Sequence, residues 1–125
     1  MKAVISTFVS TVLIATAGGA LAQSAESGER TFNQQCKACH TVEKGGTSTL
    51  GPNLFGVIGR KAGTAPGYEF SDAMKKSGIT WDDASLGDYL EDPKAKVPDG
   101  KMNFAGLKRP PQLADVIAYL KKATQ

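Results

Sequence analysis

The chemistry of this chain is concentrated in Cys36-Lys37-Ala38-Cys39-His40. Two thiols separated by two residues and followed at once by histidine have the spacing that attaches a c-type haem. Each thiol can form a thioether with one haem vinyl group, and the adjacent imidazole is placed to bind iron from one face. His40 is the only histidine in the chain, so no other imidazole competes for that role. Three other chemistries use the same residue types. A structural disulfide is one, but a C-x-x-C pair more often does redox or cofactor chemistry. A thioredoxin-like thiol exchanger places its motif at a strand-to-helix junction, and no alternating β-branched run precedes Cys36. A structural zinc site needs four Cys or His ligands, and the chain has three such residues in all.

An iron with one protein ligand is either open for chemistry or closed by a second side chain. With no further histidine, the donors left are a methionine thioether or a lysine amine. Met74 falls on a short helical stretch, where packing accounts for it. Met102 stands in Lys101-Met102-Asn103-Phe104-Ala105-Gly106, an aperiodic segment with no apolar stripe to join. A gap-filling role is the alternative for Met102.

The elements that must hold these groups are helical. A first helix is expected over 24–39, with Gly28, Phe32 and Cys36 at i, i+4 and i+8 on one face. From 43 to 67 the chain carries seven glycines and two prolines, which rule out long regular structure. Such a stretch in a compact domain is expected to wrap around something. Ser71 can cap a helix that ends at Gly78. Asp82 or Asp83 can cap another, carrying Leu86, Tyr89 and Leu90 and stopped by Pro93. From Pro93 to Pro111 the sequence is again aperiodic. The last helix starts near Pro111, and Leu113, Val116, Ile117 and Leu120 form one apolar stripe. Lys121 and Lys122 lie at the negative end of its dipole. No stretch reads as a strand, so the expected fold class is all-α, one domain with long loops.

The 125 residues carry a formal net charge of +3, an excess too mild to argue for a nucleic-acid partner. Residues 1–22 have the pattern of a cleavable signal peptide. Lys2 supplies the positive start, 3–17 form an alanine- and valine-rich run, and Ala20-Leu21-Ala22 gives a small-x-small cleavage site. A retained membrane anchor is the alternative, against which stand a short run and interruptions at Ser6, Thr7, Ser10, Thr11 and Thr16. The expected division is a signal peptide over 1–22 and one domain over 23–125, exported to the periplasm. A domain of about 100 residues buries a modest fraction of its surface, and a covalently held haem would supply much of its core.

The stretch from Cys36 to Gly46 resembles the haem-attachment segment of class I cytochromes c, the small mitochondrial and bacterial electron carriers. Gly51-Pro52-Asn53-Leu54, Gly59-Arg60-Lys61, Ala65-Pro66-Gly67-Tyr68 and Gly78-Ile79-Thr80-Trp81 resemble that family too. So do the segments 89–94, Lys101-Met102 and 117–122, in order along nearly all of the chain after residue 22. The resemblance implies the cytochrome c fold, with N- and C-terminal helices crossing around one haem c covalently bound through Cys36 and Cys39. It makes Met102 the axial ligand opposite His40 and gives Pro52 the carbonyl that accepts the imidazole N–H. Arg60 and Trp81 match groups that hold a buried haem propionate, and Tyr89 matches a tyrosine close to the axial sulfur. Phe70, Met74 and Gly100 depart from the family pattern, each replacing a polar side chain near the haem.

A haem closed on both faces carries electrons and does not act on a substrate. A small haem peroxidase or gas sensor would need an acid/base residue over an open iron face, and no histidine remains to serve. Thiol–disulfide exchange would need Cys36 and Cys39 free. The expected function is therefore a soluble, monomeric electron carrier rather than an enzyme. The resemblance implies a quinol–cytochrome c reductase as donor, and a terminal oxidase or photosynthetic reaction centre as acceptor. Lys94, Lys96, Lys101, Lys108 and Arg109, with Arg30 and Lys37, are expected to form a basic rim for transient docking on acidic surfaces.

Overall fold

The computed structural model describes residues 23–125. The expected leader, residues 1–22, lies outside the described residues. Five helices follow in order: α1 (Ala25–Gln35), α2 (Asp72–Lys76), α3 (Asp83–Glu91), α4 (Pro93–Lys96) and α5 (Pro110–Ala123). Among the described residues the only β pairing is an isolated antiparallel bridge between Lys61 and Thr80. No helix there is long and apolar enough to cross a membrane.

Four of the five helices start on a local side-chain cap. The Ser24 hydroxyl accepts from the Ser27 N–H and caps α1, while Ser71 does the same for Met74 N–H at the head of α2. Asp82, not Asp83, caps α3, and its carboxylate and the Ser85 hydroxyl exchange bonds with each other's backbone N–H. Of two sequence expectations that need correction, one concerns the extent of α1. It stops at Gln35, because Cys36 leaves helical geometry at φ −122°, and the attachment motif itself forms turns. The other is the short helix α4, placed by Asp92 and Pro93 inside a segment expected to be irregular. The Asp92 carboxylate accepts from Ala95 N–H, and Pro93 takes the first helical position, where no donor is required. Pro93 thus stops one helix and starts the next.

α1 and α5 pack directly against each other. Their close approach depends on Gly28. A Cβ there would overlap the carbonyl oxygen of Asp115 and stand 2.9 Å from Tyr119 Cβ. The rings of Phe32 and Tyr119 meet at 5.4 Å beside that crossing. Asp115 also accepts from Ser24 N–H at 2.8 Å, tying the start of α1 to the middle of α5. Phe32, Leu107, Val116 and Leu120 make one apolar cluster at this crossing. A second cluster joins Val57, Met74, Trp81, Leu86, Tyr89, Val97 and Ile117. The fully buried Thr124 pins the long loop to the last helix, since its carbonyl accepts from Gly56 N–H at 2.7 Å.

Candidate haem site

The long loops and the faces of α1, α2, α3 and α5 enclose a cavity of about 410 Å³. Cys36, Cys39, His40, Pro52, Arg60, Trp81, Tyr89 and Met102 all line it. The sequence singled out each of these, from loops and helices far apart along the chain. Cys36 is the residue just past α1, and bonds from Cys39 N–H and His40 N–H to the Cys36 carbonyl curl the motif into a tight turn. That turn sets both thiols and the imidazole on the cavity wall.

His40 is held from two sides. Its Nδ1 lies 2.8 Å from the Pro52 carbonyl oxygen. A carbonyl only accepts, so Nδ1 carries the proton and donates, and Nε2 keeps its lone pair for a metal. Burial holds the imidazole below the usual histidine range, outweighing the upward pull of the Pro52 bond. The ring therefore stays neutral near pH 7. Gly51 supplies the second constraint, one that its residue type and its place before Pro52 do not announce. A Cβ at position 51 would stand 2.6 Å from His40 Cε1 and 2.9 Å from Nδ1, so only glycine lets the backbone lie on the ring. Burial and then the neighbouring Cys39 push the Cys36 thiol up to about 11, so it stays protonated in an apolar pocket.

Met102 is half-buried and packs against the Trp81–Tyr89 cluster. Trp81 and Tyr89 are both buried, with ring centroids 5.1 Å apart. Burial, then the influence of Tyr68, pushes the Tyr89 phenol up to about 12. Arg60 donates to the carbonyls of Phe55 at 2.9 Å and Asn53 at 3.5 Å. Those bonds lock its stem and leave its charge without a carboxylate among the described ion pairs. Burial lowers its pKa.

These residues fit a haem in chemistry as well as in position. The lining is mostly apolar, two thiols and a neutral imidazole converge at one wall, and a thioether shares the same cavity. Arg60 can offset an anionic propionate in an otherwise poorly solvated site. Among the described residues, no group of three or more His, Cys, Asp or Glu side chains is gathered to bind a bare metal ion. Of the departures from the family pattern, Phe70 and Met74 line the cavity and make it less polar. Gly100 lies against Val97, whose carbonyl oxygen would be 3.1 Å from an added Cβ.

The basic rim is thinner than the sequence suggested. Lys96 pairs with Asp88 at 3.0 Å, Lys108 lies 3.8 Å from Asp92, and Arg30 pairs with Glu26 at 3.0 Å. Each partner cancels part of the field its cation would project. Lys37, Lys94 and Arg109 have no ion pair among the described residues.

The family model for cytochrome c matches residues 25–124. A cytochrome c2 from Rhodomicrobium vannielii is 49% identical over 125 residues, covering 100% of this chain and 98% of the relative. Cytochrome c2 iso-2 from Magnetospirillum fulvum is 59% identical over 86 residues, 69% of this chain and 88% of the relative. A cytochrome c from Sesamum indicum is 50% identical over 99 residues, 79% of this chain and 89% of the relative. The match runs through the thiols, the imidazole and the helices that set them on the cavity wall, and the chain belongs to the cytochrome c family, electron carriers with covalently bound haem c.

Proposed function

We propose that this protein carries single electrons between membrane redox complexes in the bacterial periplasm. Residues 1–22 direct export, and 23–125 form the working domain. The donor is a quinol–cytochrome c reductase, and the acceptor is a terminal oxidase or a photosynthetic reaction centre. In this reading Cys36 and Cys39 would tether the haem, and His40 and Met102 would ligate its iron. Pro52 orients the imidazole and, through Nδ1, raises its basicity. Arg60 and Trp81 hold a propionate, and Tyr89 packs beside the axial sulfur.

The bound haem supplies one-electron exchange between ferric and ferrous iron, and the neutral imidazole with a thioether favours the ferrous form. The chain's own contribution is to hold the donors in place and keep water out. Trp81, Tyr89, Leu86 and Met74 form the dry wall that raises the cost of the extra ferric charge. The reading rests chiefly on the single cavity shared by Cys36, Cys39, His40 and Met102. Lys37, Lys94 and Arg109 steer encounter with acidic partner surfaces, and the complexes are small and brief.

Spectroelectrochemical titration of the purified holoprotein tests this reading, with mass measurement of the same sample. It predicts a one-electron wave, a mass that includes one haem, and a chain beginning at Gln23. A mass showing two free thiols and no haem contradicts it. An electron-transfer rate to its redox partners that is indifferent to ionic strength contradicts the docking component.

A further inference from the structure

We propose that Lys101 and Tyr68 form a clasp across the cavity mouth that positions Met102 and keeps small external ligands off the iron; this rests on the His40–Met102 reading above. The observation behind it is how few backbone hydrogen bonds hold the Met102 segment. Gly100 N–H bonds to Val97 O, and Leu107 N–H bonds to Leu90 O. Between them, residues 101–106 make no backbone–backbone hydrogen bond among the described residues. The path of this segment is therefore set by side chains.

Lys101, the residue next to Met102, supplies the tie. Its Nζ donates to the Glu69 carbonyl, across 32 residues of sequence, and stands 5.7 Å from the centre of the Tyr68 ring. Tyr68 is itself fixed at both ends. Its hydroxyl donates to the Leu50 carbonyl at 3.1 Å, and its ring meets Phe70 edge-on at 4.9 Å. Glu69 is anchored by Lys75 on α2, whose Nζ lies 2.7 Å from its carboxylate. Leu50 adjoins Gly51, the glycine that lies on the His40 ring. The chain Leu50–Tyr68–Lys101 thus joins the backbone beside His40 to the backbone beside Met102. Leu50, Tyr68, Phe70 and Lys101 all line the cavity. Opening the Met102 side requires Lys101 to leave both the Glu69 carbonyl and the Tyr68 ring.

The test is imidazole binding to the ferric holoprotein, followed by loss of the far-red thioether–iron band. A charge-assisted bond at a partly exposed site shifts an open–closed equilibrium by about 5- to 10-fold. Lys101→Ala is therefore expected to tighten imidazole binding by about that factor, and Tyr68→Phe, which removes only the bond to Leu50, by about 2-fold. Lys101→Arg, which keeps the charge and a donor, recovers much of the wild-type affinity. The double variant gains less than the product of the single effects, because one opening serves both. Lys76→Ala, a surface change on α2 outside the clasp, is the reference for general destabilisation. Imidazole affinities of Lys101→Ala and Tyr68→Phe equal to that of Lys76→Ala overturn the clasp. If wild type already lacks the far-red band, the Met102 ligation fails first and the clasp falls with it.

Discussion

Removing the haem should cost this protein its fold, and the cavity gives the size of the effect. The cavity proposed to hold the haem is about 410 Å³. At about 24 cal/mol per Å³ of interior left unfilled, the penalty is about 10 kcal/mol. A domain of this length has a total stability of about 5–15 kcal/mol. Even with water in the mouth of the cavity recovering half of the penalty, about 5 kcal/mol is lost, which is between a third and all of that stability. The experiment is the Cys36→Ala/Cys39→Ala double variant, refolded without haem and compared with the holoprotein by circular dichroism and urea titration. Trp81 and Tyr89 both line the cavity, so the near-ultraviolet signal reports directly on its walls. The expected result is loss of that signal, partial loss of helical signal and a broad, non-cooperative urea response. A haem-free variant that keeps the near-ultraviolet signal and unfolds cooperatively with the holoprotein's urea slope would refute the reasoning, because the same slope means the same surface is buried.

Three further perturbations probe separate parts of the account. Gly51→Ala drives a methyl group into His40 and is expected to destabilise the holoprotein by about 1–3 kcal/mol and lower its reduction potential, measured by urea midpoint and voltammetry; an unchanged potential would remove Gly51 from the positioning of the ring. Gly28→Ala forces α1 away from the Asp115 carbonyl and is expected to cost about 3 kcal/mol in urea titration, whereas a loss below about 1 kcal/mol would mean that the crossing does not need a glycine. Tyr89 titrates near 10 when unfolded and is pushed up to about 12 in the fold. The folded state therefore holds its proton more tightly, and the stability it contributes is intact below pH 10 and lost as pH rises through 12. Urea midpoints should fall more steeply over that window in wild type than in Tyr89→Phe, by up to about 3 kcal/mol at the alkaline end, and parallel curves would contradict the shift.

What could be read from the sequence was what is local in the chain. The attachment motif is five consecutive residues, Ser71 and Asp82 announce their helices by type, and the stripe from Leu113 to Leu120 needs only helical periodicity. Met102 was different, since two methionines and the lysines remained open as donors until family resemblance separated them. Both now share the cavity, Met74 from α2 and Met102 from a loop. The helix α4 was missed although its signal was present, because Asp92-Pro93 is a cap followed by a first-turn proline as well as a stop. The overrun of α1 has a local cause too, the non-helical turn at Cys36 that turns the motif toward the cavity.

The remainder depended on contacts distant in sequence. Nothing near Gly51 in the chain says that an imidazole 11 residues earlier will lie against it. Lys96 and Lys108 looked like free surface charge, but the packing of α3 and α4 brings Asp88 to Lys96, and the Leu107–Leu90 backbone bond sets Lys108 beside Asp92. Arg60 likewise spends two of its five donors on the carbonyls of Phe55 and Asn53, a loop geometry that no residue pattern encodes.

The central claim is that His40 and Met102 hold one covalently tethered haem iron between them. It is tested most directly by the ferric absorption spectrum at neutral pH of wild type, Met102→Ala and Met74→Leu. The account predicts a far-red thioether–iron band in wild type and in Met74→Leu, and none in Met102→Ala. A band that survives Met102→Ala, or that disappears with Met74→Leu alone, would contradict it.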